Sequence, residues 1–207
     1  MSAFLGPIHY WLYNKIRLQQ EIIDELYRLG ESNKLTLKEE AESRFGAIEN
    51  KPLEEMIDQG NIHGWLQERV SQVEYKYAYV VSALANKLPD AMHTLKGCLY
   101  NAGNRQAKAI HPDMNTLAAN ELFKLISDQL LDGMPCDHAN RLLSQNDNDL
   151  TWTRNLCVHA PYWEELGGDI SVYYELRESW LMGFIKEFGY SLENINDTTY
   201  RIYTSKN

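Results

Sequence analysis

A chain of 207 residues, 44% hydrophobic and 24% charged, is long enough to bury one well-filled core and short for two domains. Its formal charge of −9 argues against binding a phosphate backbone, and Arg105, Lys108 and His111 form too thin a basic stretch to offset it. No apolar run approaches the roughly 20 residues of a membrane span, and MSAFLGPIHYWLYNKI lacks the basic and uninterrupted apolar regions of a secretory signal, so the cytoplasm is the expected location.

Helices are expected through the first two thirds. Ile8, Trp11, Leu12, Ile16, Ile22, Ile23, Leu26 and Leu29 recur at mixed three and four spacing, which predicts one buried helical face from Pro7 to about Leu29. Pro7 suits the first turn and Gly30 the stop. Thr36-Leu37-Lys38-Glu39 reads as a capping box for a short polar helix ending near Asn50. Pro52 restarts the chain and Gly60 closes another short piece. Val70, Val73, Tyr77, Val81, Leu84 and Leu88 predict a long helix from Ile62 to Leu88, although VEYKYAYVV also alternates as a strand would. A further helix is expected from Ala91 to about Ile110, with Gly97, Ala102 and Gly103 as places where a backbone or ligand comes close. His111-Pro112-Asp113 closes it. Asp113 or Asn115 then caps a helix through Leu131, ended by Gly133 and Pro135.

Beyond Pro135 the pattern changes. RLLSQNDNDLTWTRNL reads as a β-hairpin turning at Asn146-Asp147-Asn148-Asp149. If its second strand continues, Thr151, Thr153, Asn155, Cys157 and His159 share one face, with Leu150, Trp152, Arg154 and Leu156 on the other. A short helix follows from Pro161 to Gly167-Gly168. Asp169 then caps a helix with the stripe Tyr173, Leu176, Trp180, Phe184 and Phe188, and Gly189 stops it. TTYRIYT reads as a last strand. The expected class is α+β: a single domain with a helical part at about 1–133 and a hairpin–helix–strand part at about 136–207, the helices packed on a small antiparallel sheet.

Three cysteines, Cys98, Cys136 and Cys157, are an odd number in a chain too large to need disulfide staples. Cys157-Val158-His159 is the most concentrated chemistry. On one strand face the two side chains lie roughly 7 Å apart, suited to shared metal ligation or two contacts to one ligand. The competing reading makes Cys157 a small buried hydrophobe and His159 a turn residue. His9, bordering the first helix's stripe near Tyr13, is a metal ligand, an anion donor or a boundary histidine. His93, Asn101 and Asn104 share a helix side with Gly97 and either floor a polar pocket or edge a packing groove. His63, His111 and His138 flank turn signals and read as surface residues. The aromatics Trp152, Tyr162, Trp163, Tyr173, Tyr174 and Trp180 either line a pocket or fill the space between sheet and helices.

TWTRNLCVHAPYWEELGGD and YYELRESWLMGFIKEFGY carry a resemblance. The last seventy residues are similar to the C-terminal half of the L-2-amino-thiazoline-4-carboxylate hydrolase-like proteins, and more distantly to four-vinyl-reductase-type ligand-binding domains. The resemblance implies an α+β fold that binds small organic ligands, with hydrolase members that open a sulfur heterocycle using cysteine. Cys157 matches that pattern; Tyr173, Tyr174 and Glu175 stand where a second cysteine is expected. The resulting expectation is a pocket for a small amino-acid-like or heterocyclic compound, with Cys157 as nucleophile, His159 as base, and Arg154, Asn155, His9, Tyr13, His93, Asn101, Trp152 and Tyr173 as ligand contacts. Hydrolysis of a carbon–nitrogen bond is one outcome. The alternatives are a metal or haem protein using His9, Cys157 and His159, and a non-enzymatic homodimeric interaction module. No cofactor is specified by the sequence, and neither nucleic acid nor membrane is expected as a partner.

Overall fold

The computed structural model describes residues 4–49, 51–110 and 117–204. Asn50, His111, Pro112, Asp113 and Asn115, to which the sequence assigns a helix end, a surface histidine and caps, lie outside them. The fold is α+β, with a four-stranded antiparallel sheet late in the chain. The described residues fall into two compact units.

The helical unit takes its described residues from Met1–Pro89, Leu130–Cys136 and His159–Asp169. It contains α1 (Pro7–Ser32), α2 (Leu37–Phe45), α3 (Leu53–Met56), α4 (Ile62–Lys87) and α7 (Ala160–Glu165). The stripe on α1 is buried at Leu12, Ile16, Ile22, Ile23 and Leu26, but Ile8 is exposed and His9 is buried in its place. Gly30 does not stop this helix. A Cβ there would press on Leu37, so its role is packing, and Lys34 adopts the left-handed conformation after the last turn. Thr36 likewise forms no capping box; its hydroxyl donates to Glu40 Oε1 at 2.9 Å, and α2 ends at Phe45, where Gly46 supplies a φ of +82°.

α4 packs against α1, α2 and α7. Three partners leave little of its surface to water, so the single stripe expected of it is joined by buried Gln72, Glu74 and Lys76. Each of these side chains makes at least one polar contact, although Gln72 Oε1 has no hydrogen-bond partner. Gln72 Nε2 donates to the Ala47 carbonyl at 3.2 Å, Lys76 Nζ donates to Gln20 Oε1 at 3.3 Å, and Glu74 meets His159. Burial lowers the affinity of the Lys76 amine for its proton.

The sheet unit comprises α5 (Ala91–Ile110), α6 (Ala119–Gln129), β1 (Asn140–Gln145), β2 (Asp149–Arg154), α8 (Ile170–Lys186), β3 (Ser191–Asn196) and β4 (Thr199–Tyr203). The strand order is β1-β2-β4-β3. Leu150 pairs with Ile202 and Trp152 with Tyr200, and all four are buried. On α8, Tyr173, Leu176, Trp180 and Phe184 are buried as their spacing predicts, and Phe188 just beyond the helix is buried with them. Gly189 follows with a φ of +77°. α5 and α8 touch backbone to backbone: a Cβ on Gly103 would overlap the Trp180 carbonyl, and one on Gly183 the Tyr100 carbonyl. Gly97 has open space around it. The opposite sheet face is polar, with Arg201 of β4 bridging Asp149 of β2 and Glu193 of β3.

β3 is absent from the sequence-based expectation, because SLENIN has only Leu192 and Ile195 as apolar residues, without strand alternation, and its strand character comes from pairing with β4. The edge strands β1 and β3 each carry a bulge, at Leu143 and Ile195, and both residues are exposed. Such bulges blunt an open edge against pairing with another chain.

Candidate functional site

The strand expected to hold Cys157 and His159 on one face ends at Arg154. The shared-face argument therefore does not apply. The cysteine belongs to the sheet unit and the histidine to the helical unit, and each has surroundings of its own.

Cys157 is a half-buried free thiol. The Tyr174 hydroxyl donates to its sulfur at 3.1 Å, and the Arg154 guanidinium lies 3.6 Å over the Tyr174 ring. Burial first, and then the bond to Cys157, raise the affinity of the Tyr174 phenol for its proton, so it remains a donor. Tyr173 is buried edge-on to Tyr174 and accepts from Arg177 Nη1 at 3.2 Å. A phenol that donates to sulfur favours its anionic form. Three of the expected residues, Arg154, Cys157 and Tyr173, thus meet around Tyr174, which the sequence argument placed only among the crowding aromatics. Trp152 and Asn155 meet other partners. Trp152 is stacked on Tyr200 with centroids 5.5 Å apart, and Asn155 donates its side-chain amide to the His138 carbonyl at 3.3 Å.

His159 is only 2% exposed. Its Nδ1 lies 3.0 and 3.1 Å from the two Glu74 carboxylate oxygens, and its Nε2 lies 3.5 Å from Asp132 Oδ1. Burial works against the charged ring, but Glu74 and Asp132 together outweigh it and raise the pKa to about 9. At neutral pH the ring is a buried imidazolium facing a carboxylate at each nitrogen. The clue was present in VEYKYAYVV, which places a carboxylate and a lysine within the most apolar stretch of α4.

The third cluster lies at the N-terminal ends of α1 and α4. Gly6 N–H donates to His9 Nδ1 at 2.9 Å, and His9 Nε2 faces His63 Nε2 at 3.3 Å. One turn further along α1, Tyr13 packs on Trp65 with centroids 5.9 Å apart, and the Arg69 guanidinium lies 5.2 Å over the Trp65 ring. Tyr13, Trp65 and Arg69 line a cavity of about 240 Å³, completed by Ile48, Glu49, Lys51, Glu55 and Met56 among others. Burial raises the affinity of the Tyr13 phenol for its proton. The cavity is lined by two cations, two carboxylates and an aromatic wall, with Lys51 ion-paired to Glu49 at 2.5 Å. Of its residues only Tyr13 was singled out from sequence: Trp65 and Arg69 lie one turn apart on α4, but Glu55 belongs to α3 and Tyr13 to α1, and no local spacing links the three elements.

His93 and Asn101 lie on the exposed side of α5, with Gly97 between them. Of the expected metal set His9, Cys157 and His159, His9 faces His63 and His159 faces carboxylates. Among the described residues no group of three or more His, Cys, Asp or Glu is placed to hold a metal ion. No helix among them is long and apolar enough to cross a membrane. In comparisons with known proteins, no family model, no curated protein and no solved structure matches the chain.

Proposed function

We propose that the protein binds a small amino-acid-like compound in the cavity formed by Tyr13, Trp65 and Arg69. The observation that carries the reading is a cavity of about 240 Å³ with both signs of charge against an aromatic wall. That volume lies below the roughly 300–1,000 Å³ of drug-sized clefts, so the occupant is small. Arg69 offers donors to a carboxylate, Glu55 accepts from an ammonium, and Trp65 with Tyr13 takes an apolar or heterocyclic side group. Titration of a panel of amino acids and their heterocyclic analogues, followed by Trp65-dependent fluorescence, tests it. Arg69→Met should weaken a binding zwitterion by about ten- to a hundredfold, the loss of one charge-assisted hydrogen bond. Binding that ignores both Arg69→Met and Trp65→Leu would refute the assignment.

A second reading, cysteine-dependent hydrolysis, draws support from the contact of Tyr174 with Cys157. A hydroxyl donating to the sulfur favours the thiolate, the form that attacks a carbonyl or imine carbon. If so, Cys157 reacts with iodoacetamide faster than Cys98 and Cys136, and Tyr174→Phe slows it. Equal rates for all three thiols would eliminate this reading.

A further inference from the structure

We infer that His9 and His63 form a two-histidine site for a divalent transition-metal ion of tetrahedral preference, with zinc as the natural candidate. The inference is independent of the amino-acid cavity and rests on the distance between two nitrogens. Their Nε2 atoms lie 3.3 Å apart. With zinc–nitrogen bonds of about 2.0–2.1 Å and a tetrahedral angle, two imidazole nitrogens on one ion sit about 3.3–3.4 Å apart. A square-planar ion with adjacent ligands would bring them to about 2.9 Å, so the separation selects against that geometry. Without an ion the same contact serves as a ring-to-ring hydrogen bond.

The rings present these nitrogens to each other. Their centroids are 5.4 Å apart and their planes tilted by 53°, so the Nε2 edges are much closer than the ring centres. The two histidines come from different helices, and each sits within the first turn of its own: His9 in α1, starting at Pro7, and His63 in α4, starting at Ile62. The pairing of α1 with α4 therefore builds the site, and ligands on two packed helices lose little freedom on binding. His9 is 6% exposed and fixed, while His63 is exposed and gives an ion access from solvent.

In the ion-free protein the Gly6 amide donates to His9 Nδ1. That bond leaves the His9 proton on Nε2, where it points at His63 Nε2. Metal capture replaces this proton: it leaves His9 Nε2, Nδ1 takes one up, and the Gly6 amide turns away to solvent. Two positions on the ion remain for water or an incoming donor, so the ion is exchangeable rather than structural.

Calorimetric titration of zinc sulfate into the full chain tests the inference, with imidazole nitrogen NMR to follow the two rings. Expected are one ion per chain at micromolar affinity, a shift of both Nε2 resonances, and a loss of about tenfold or more in His63→Gln. His138→Gln and Cys136→Ser, changes at exposed potential ligands elsewhere, should leave binding unchanged. Since His63 is exposed, the His63→Gln chain should fold, and its circular dichroism spectrum verifies that. No saturable binding up to millimolar zinc, or binding that survives His63→Gln, overturns the proposal.

Discussion

The two units handle charge in opposite ways. The helical unit buries it: His159 is clamped by Glu74 and Asp132, and Lys76 is wholly inside with Gln20. The sheet unit keeps its main ionic network, Arg201 with Asp149 and Glu193, on the outer sheet face, and fills its interior with Trp152, Trp180, Phe184 and Tyr200. The cause is geometric. A two-faced sheet segregates polar from apolar residues at every second position, whereas α4, packed on three elements, must bury whatever its sequence carries. Stability of the helical unit should therefore depend on protonation, and that of the sheet unit on backbone fit.

The sharpest way to break this contrast is to remove one partner of the buried cluster. His159→Leu leaves Glu74 and Asp132 facing each other without a cation, and should destabilise the helical unit by about 3–5 kcal/mol in denaturant unfolding. A loss below about 1 kcal/mol would mean that the cluster is open to water. The same cluster predicts a pH dependence. Because the folded pKa of His159 is raised to about 9, its stabilisation is complete below the ordinary imidazole value of about 6.5 and is lost as pH rises toward about 9, on the order of 3 kcal/mol in all. Urea midpoints between pH 6 and 10 would show it, and His159→Leu should abolish that slope.

In the sheet unit the largest effect should come from Gly183→Ala. Its methyl would meet the Tyr100 carbonyl, and forcing α5 from α8 should cost about 2–3 kcal/mol with no pH dependence. A thermal midpoint unchanged by that substitution would deny the close helix contact. Arg201→Ala should do least, moving the midpoint by no more than about 3 °C and less at high salt, since its network is exposed.

Much of the architecture was legible because it is periodic. The bounds of α5, the α8 stripe, the hairpin and β4 follow from residues a few positions apart. Failures came where a local signal had a distant use. Gly30 is a packing contact for Leu37, Thr36 bonds Glu40, and β3 owes its form to β4. The candidate sites were less legible. Cys157 and Arg154 were found, but the group that joins them, Tyr174, lies off the α8 stripe. Tyr13 and His9 were found, but not the Trp65, Arg69 and His63 that complete their surroundings.

By itself, the sequence determined the α+β class, most helix spans and the residues that face a core, because hydrophobic spacing acts within a few turns of chain. Tertiary structure decided what those residues face. It placed His159 between carboxylates 85 and 27 positions upstream, and His9 opposite a histidine 54 positions away. Charge pairing and ligand geometry depend on distances in space, and no spacing along the chain encodes them.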